Sequence, residues 1–410
     1  MKQTQGPLVA VVGGGASGLA ASICAAEAGA GRVMLLERQD RVGRKLLATG
    51  NGRCNLGHVQ VQPRDYLTSD PKALQQLLRD LPARQVLDFF ERLGLLLRQE
   101  EGRVYPFSNQ AAAVLDLLRL QAAARGVEEH CSFEVTDIRP QKGGFSIQSA
   151  DGQQLFAHRV ILACGGMAAP KLGGGEGGYR LARQLRHSVT PLYPCLVGVS
   201  CRAEGLAVVK GVRAECAVTL RLPRAKDTQR RGEVQFNEYG VSGFPVMQLS
   251  GLAAKAGKGA VLELDLLPTL SMEELVSLLH RRRKSGAFPT LEQLLTGLVH
   301  KKLAVFHLRR VGELSRPVSA FSPAEIVRLA QSLKCWQLPV TGVQGWDGAQ
   351  VTGGGVPLAE VQPGSFASRL QPGLYLTGEL LDAAGDCGGF NLHWAFGSGM
   401  LAGQSAGHWD

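Results

Sequence analysis

The sequence has no pair of cysteines spaced C-x-x-C. Its nine cysteines, Cys24, Cys54, Cys131, Cys164, Cys195, Cys201, Cys216, Cys335 and Cys387, are odd in number. A disulfide framework and a zinc site are therefore not expected, and reduced thiols are. No apolar run approaches the roughly 20 residues of a membrane-spanning helix, so no membrane association is expected. The residues before Leu8 hold no basic leader followed by an apolar core and a cleavage site, so a cytoplasmic location is expected. There is no internal repeat and no low-complexity segment. No Ser/His/Asp order, metal-ligand cluster or paired-carboxylate motif stands out.

What is present is a chain of 410 residues that is 45% hydrophobic, enough for a large core and long enough for two or three domains. The formal net charge is +10, and it is uneven. Between Glu273 and Arg316 stand nine basic residues, among them Arg281-Arg282-Arg283-Lys284, Lys301-Lys302 and Arg309-Arg310, against four acidic ones. Such a run attracts phosphates or nucleic acid when its charges share one face. Here they are adjacent residues, which point about 100° apart on a helix, and few aromatics lie among them. A solvated helical surface is the expectation, and nucleic-acid binding the alternative.

The pattern along the chain is α/β. Leu8–Val12 reads as a strand, Ala16 to Ala28 as a small-residue helix and Arg32–Leu36 as the next strand: one βαβ unit. Helical periodicity follows at Pro71–Asp80, Ala83–Leu93 and Asn109–Arg125. His158–Ala163 is a buried-type strand ending in Cys164-Gly165-Gly166. From Pro191 the runs become short and alternating. Ser271–Lys284 is then an amphipathic helix with Ser271 as N-cap and Glu274 in a capping box. Gly373–Thr377 is a last strand, and a final helix begins near Asn391. The expected organisation is a nucleotide-binding domain in two parts, 1–190 and 339–410. An insert at 191–338 is β-rich over 191–268 and helical over 269–338.

Gly13-Gly14-Gly15-Ala16-Ser17-Gly18 matches G-x-G-x-x-G between a strand and a helix, and Glu37 ends the second strand. Gly13 permits the turn, Gly15 admits a pyrophosphate to the helix N-terminus, and Gly18 lets helix and strand pack closely. An acid at Glu37 accepts from ribose hydroxyls, so a dinucleotide is expected. The choice between NAD and FAD falls to FAD. Strand-to-glycine turns recur at Ala163-Cys164-Gly165-Gly166 and at Leu376-Thr377-Gly378-Glu379, and a simple dehydrogenase has no need of the last one.

Four further segments are long enough to be specific. They are Gly43-Arg44-Lys45-Leu46-Leu47-Ala48-Thr49-Gly50-Asn51-Gly52-Arg53-Cys54-Asn55, Gly102–Pro106, Val351–Val356, and Gly378-Glu379-Leu380-Leu381-Asp382 running on through Cys387 to Gly399. With them the chain resembles, over almost its whole length, a bacterial flavoprotein family. Its members are described as NAD(P)/FAD-dependent oxidoreductases or aminoacetone-oxidase-family (YhiN-like) enzymes, with bile-acid enone reductases among the relatives. The resemblance implies a Rossmann-like FAD domain of the glutathione-reductase type, with a β-barrel-like and a helical subdomain inserted. It extends the FAD-binding set from Gly13, Gly15, Ala16, Ser17, Gly18 and Glu37 to Arg38, Arg44, Lys45, Leu46, Thr49, Gly50, Asn51 and Asn55. Val135, Ala163, Gly165, Gly166, Gly378, Glu379, Gly389, Phe390 and Asn391 complete it. His393 stands where the family commonly has Gln, and Phe236-Asn237-Glu238-Tyr239-Gly240 departs from the family's Phe-Thr-His before Tyr-Gly.

Only Cys54 follows the first βαβ unit, so no redox-active cysteine pair is expected. Lys45 and Arg53 are the cations expected to favour the reduced flavin, and His393 the residue expected to act as an acid. The expected function is NAD(P)H-driven reduction of a small organic substrate, in particular a C=C bond conjugated to a carbonyl. NAD(P)H would bind transiently, since the glycine-rich Gly173–Gly178 follows no βαβ pattern and is not read as a second nucleotide site. An amine or aminoketone oxidase, and a flavoprotein binding nucleic acid through the basic insert, are the alternatives.

Overall fold

The computed structural model describes residues 6–202, 204–223 and 225–409, so most of the stretch weighed for a leader lies outside it. Short apolar runs separated by crossovers build a parallel sheet that is covered on both faces. Its strands are β1 (Leu8–Val12), β2 (Arg32–Leu36), β3 (Glu128–His130), β4 (Arg159–Leu162) and β5 (Leu374–Leu376). They lie in the order β5-β4-β1-β2-β3, and every neighbouring pair is parallel. Val9, Val11, Val160, Ile161, Leu374 and Leu376 are fully buried, as the continuous apolar runs require. Parallel order brings the carboxyl ends of β1, β2, β4 and β5 to one edge, where ligands bind in such sheets.

Two helices lie side by side beneath that edge: α1 (Ala16–Glu27) and the C-terminal α4 (Phe390–Gly407). Between them in sequence come α2 (Arg44–Ala48) and α3 (Ala83–Arg92). A Cβ on Gly399, Gly403 or Gly407 would lie 2.2 Å from the carbonyl oxygen of Ser17, Ala21 or Ala25 respectively. Glycine every fourth residue therefore brings the two backbones into contact, and the pairing runs parallel. Since Gly399 is level with the start of α1, α4 overhangs it by about nine residues, or about 13 Å at the helical rise. This unit comprises Met1–Tyr193 and Ala349–Asp410.

The second unit is Pro194–Gly348. A closed barrel joins Val199–Cys201, Gly240–Ser242, Thr228–Asn237, Arg213–Arg221, Val261–Asp265 and Trp336–Val343, in that order around the wall. The insert expected from the sequence spans 191–338. The observed unit runs further because the strand Trp336–Val343 closes the barrel, and its first residues also end the span expected to be helical. The helix Met272–Lys284 starts at the Ser271/Glu274 capping box expected from sequence.

Much of the basic run is engaged inside this unit. Arg282 Nη1 donates to the carbonyls of Leu294 (2.9 Å) and Thr296 (2.7 Å), and Arg310 Nη2 donates to the backbone carbonyl of Glu204 (3.1 Å). Arg316 pairs with Glu325 at 2.6 Å. Arg281, Lys301 and Lys302 are exposed. Among the described residues, no helix is long and apolar enough to cross a membrane.

Candidate functional site

The site begins where β1 turns into α1. Gly13 has φ +109°, and a Cβ there would lie 2.4 Å from the Ala163 carbonyl oxygen; a Cβ on Gly18 would lie 1.8 Å from the Gly13 carbonyl oxygen. Both positions demand glycine. Gly15 is different: nothing stands within 4 Å of its missing Cβ, and as N-cap of α1 it supplies no capping side chain. The first amides of α1 therefore face open space at the positive end of the helix, which suits a pyrophosphate.

Glu37 lies beside this turn. Its Oε2 accepts from Gly14 N at 2.7 Å and its Oε1 from Gln39 N at 2.8 Å. A carboxylate has about four acceptor positions, so two remain for a ribose diol. Arg38 Nη2 donates to the carbonyls of Gly173 (2.5 Å) and Gly174 (3.0 Å), tying β2 to the glycine-rich loop after β4. Val135 is buried at the start of its strand, and Ala163 lies against Gly13. Gly165 has open space, whereas Gly166 is packed against Thr352 and Glu379. Beneath α1, Ser17 Oγ is 2.9 Å from Thr377 Oγ1. That contact fixes the end of β5 and leaves Ala16 in the first turn.

Lys45, on α2, reaches across the site. Its Nζ is 2.6 Å from Glu379 Oε2, while Glu379 Oε1 accepts from Thr352 N (2.9 Å) and Thr352 Oγ1 (2.8 Å). Thr352 Oγ1 also accepts from Met167 N at 2.8 Å and Ala168 N at 3.1 Å. Four distant segments thus meet around one carboxylate. Nearby, Arg44 Nη1 donates to Gln39 Oε1 (2.6 Å), Leu46 is buried, and Thr49 Oγ1 donates to the Leu46 carbonyl (2.6 Å). Gly50 and Asn51, both at φ 56°, make the tight turn that follows.

Arg53 is held by neighbours. Its Nη2 is 2.6 Å from Glu100 Oε2, its Nε donates to Asn109 Oδ1 at 3.2 Å, and its guanidinium lies 4.2 Å over the Tyr105 ring. Cys54 is fully buried, and burial pushes its thiol up to about 12, so it stays protonated and unreactive.

The remaining residues gather at the start of α4. Gly389, at φ +98°, lies so close to Asn55 Oδ1 and the Gly57 carbonyl that a Cβ would sit 2.6 and 2.5 Å from them. Phe390 stacks on His58, with centroids 5.1 Å apart, and its carbonyl accepts from Tyr66 OH at 3.0 Å. Asn391 clamps Gly385 through both amide atoms, each at 2.8 Å. Gly378 N donates to Ser398 Oγ (2.9 Å) and Gly378 O accepts from Trp394 Nε1 (3.0 Å).

His393 does not have the character of an acid. It is 1% exposed, burial pushes its pKa down to about 4, and Nε2 donates to the Leu81 carbonyl at 3.1 Å. The ring is therefore neutral near pH 7, and its one N–H is already engaged. Two buried acceptors in this region have no partner: Asn55 Oδ1 and His393 Nδ1.

Sequence reasoning missed Thr352, Thr377 and Trp394. Thr352 and Thr377 each stand just before a glycine at the end of a strand, a position from which a side chain reaches the ligand edge. The open amides of α1 and the free acceptor positions of Glu37 fit FAD, which supplies hydride chemistry when bound.

Comparison with known proteins agrees. Residues 7–405 match the family described as HI0933-like protein Rossmann domain. The chain is 39% identical over 407 residues to a 3-dehydro-bile acid delta(4,6)-reductase of Clostridium scindens, covering 97% of this chain and 98% of that one. It is 27% identical over 399 residues to a ribosomal RNA dihydrouridine synthase of Escherichia coli, covering 96% of each. Among solved structures, a 3-ketosteroid delta1-dehydrogenase from Sterolibacterium denitrificans aligns with a TM-score of 0.52 over 98% of this chain and 100% of that one. At 14% identity that likeness is one of fold. Fold and site together define a flavin-dependent oxidoreductase with a Rossmann-type FAD domain. The chain belongs to the HI0933-like family, in agreement with the resemblance carried by its loop motifs.

Proposed function

We propose that the protein reduces a carbon–carbon double bond conjugated to a carbonyl in a small organic substrate, with NAD(P)H as a transient reductant, in the cytoplasm. The observation that carries this reading is the 39% identity, across 97% of the chain, to a protein named for reducing a 3-dehydro bile acid at its delta(4,6) positions. In such a compound the double bonds are conjugated with a ketone. Hydride adds to the remote carbon, and negative charge collects on the carbonyl oxygen. In this reading the start of α1 holds the pyrophosphate and Glu37 the adenosine ribose. Lys45 and Glu379 fix the loops around the middle of the cofactor. Burial holds the thiols of Cys24, Cys54 and Cys164 up at about 12, so they offer no thiolate to carry electrons.

The 27% identity to a ribosomal RNA dihydrouridine synthase favours a second reading. The uracil 5,6 double bond is also conjugated to a carbonyl, so the chemistry is shared and only the substrate's size differs. Exposed Arg281, Lys301 and Lys302 would then meet phosphates.

The test is anaerobic. The yellow protein is titrated with NADH and NADPH, then offered conjugated steroid ketones or ribosomal RNA fragments. Bleaching by one nucleotide and recovery of colour with the steroid ketone is the expected result. Recovery with RNA alone would favour the second reading. Rapid reoxidation by air with peroxide release, and no response to either substrate, would favour an amine or aminoketone oxidase.

A further inference from the structure

A small antiparallel sheet in the first unit ends in an open edge. Its strands are Gly57–His58, Arg103–Pro106 and Leu97–Glu100, in that order, with Arg103–Pro106 in the middle. Leu97–Glu100 is paired on one side only, with Leu97 opposite Pro106 and Arg98 opposite Tyr105. The Leu96 carbonyl accepts from Phe107 N at 2.8 Å. In an antiparallel ladder the inward and outward backbone groups alternate, so Arg98 also turns its groups inward, while Leu97 and Gln99 turn theirs outward. Pro106, which has no N–H to give, agrees with that register. Gln99 is exposed, and among the described residues nothing bonds to its outward N–H and C=O. Unpaired groups of this kind are a template for another strand.

The side chains on this edge decide which strand it takes. Arg98 and Glu100 project from one face, as residues two apart on a strand do, and their charged ends are 3.1 Å apart. Charges of a single sign along an edge repel a second copy of it. Opposite charges two residues apart do the reverse. When two copies pair antiparallel about Gln99, position 98 of each lies opposite position 100 of the other, so each Arg98 faces a Glu100. Those positions flank a hydrogen-bonded pair and are of the closer kind, with side chains in direct reach. Glu100 already receives Arg53 at 2.6 Å, but a carboxylate has about four acceptor positions and can take a further guanidinium. Leu96, 66% exposed, comes to lie against the Glu101–Gly102 turn of the second copy.

We propose that the protein forms a two-fold dimer by antiparallel pairing of the Leu97–Glu100 edge with that of a second copy. Gln99 sits on the axis and exchanges its backbone N–H and C=O bonds with Gln99 of the second copy. Two three-stranded sheets become one of six strands. The same patch serves both partners, so the assembly closes at two. The edge is short, which places the contact among small, reversible interfaces. The inference is independent of the substrate.

Sedimentation velocity of the FAD-loaded full chain, over a dilution series in the micromolar range, tests it. The mass should rise toward twice that of one chain as concentration increases. Gln99→Pro removes an N–H that the ladder within one chain does not use, and an edge strand accepts proline for that reason. This variant should unfold thermally with the dilute parent and should not associate. Arg98→Glu and Glu100→Arg should each be monomeric alone, because like charges then oppose, and should associate when mixed. A parent that stays monomeric throughout would overturn the proposal. So would a Gln99→Pro protein that associates as the parent does, since the dimer would then use another face. If Gln99→Pro fails to fold, the mixture decides: no association between the two charge variants, with the parent dimeric, would also overturn it.

Discussion

Lys45 Nζ lies 2.6 Å from Glu379 Oε2, an ion pair closed between residues 334 apart in sequence. The pair is partly sheltered, with side-chain exposures of 32% and 20%. It joins α2 to the turn after β5, while Thr352 holds the other carboxylate oxygen. Replacing Lys45 with Met leaves Glu379 bonded to Thr352 but releases α2. An exposed pair contributes up to about 1 kcal/mol, so FAD should bind roughly threefold to fivefold more weakly. Fluorescence of FAD released on serial dilution measures this, and equal retention by parent and variant would refute it.

Glu37 has two duties, and its substitution should show both. Glu37→Ala removes the expected ribose acceptor and also strands Gly14 N–H and Gln39 N–H. A hydrogen bond to a charged group contributes about 1.5–3 kcal/mol, so FAD affinity should fall roughly ten- to a hundredfold. The apoprotein should lose about 1–3 kcal/mol as well, because the stranded amides belong to the fold. Calorimetric titration with FAD reads the first effect and urea unfolding the second. A variant with normal affinity would mean that Glu37 serves the loop alone.

Gly403 allows no side chain. An alanine methyl would sit 2.2 Å from the Ala21 carbonyl oxygen, so α1 and α4 must separate. The expected cost of Gly403→Ala is about 2 kcal/mol or more, against a slight gain for the same change in an open helix. Denaturant midpoints decide, and a variant as stable as the parent would show that the helices slide apart freely.

Stability should fall on mild acidification, before the carboxylates titrate. Burial lowers the pKa of His393 to about 4 and of His307 to about 3, from an ordinary 6.5. Between those values the unfolded chain binds protons that the fold excludes. The contribution is therefore complete above about pH 6.5 and is lost progressively as the pH falls toward 4, by on the order of 3 kcal/mol per residue. Urea unfolding across this range should show the slope, and His393→Gln and His307→Phe should each flatten it. A parent curve flat from pH 7 to 5 would contradict both assignments.

The first βαβ unit, the need for glycine at Gly13 and Gly18 and the acid at Glu37 are legible in the chain alone, while the longer loop motifs point to FAD through the family they resemble. Each of the first three is a local pattern, in which spacing along the chain dictates spacing in the structure. The Ser271 capping box is legible for the same reason. What the chain alone does not reveal is which polar groups are already engaged. Arg53 reads as a free cation until Glu100, Asn109 and Tyr105 surround it. His393 reads as an acid until burial strips its charge and Leu81 takes its proton-bearing nitrogen. Thr352 appears only as the residue before a run of glycines, yet it organises four backbone segments with Glu379. Protonation, burial and hydrogen-bond satisfaction depend on atoms brought together from hundreds of residues apart. They are properties of the folded neighbourhood and do not exist until the distant segments have packed.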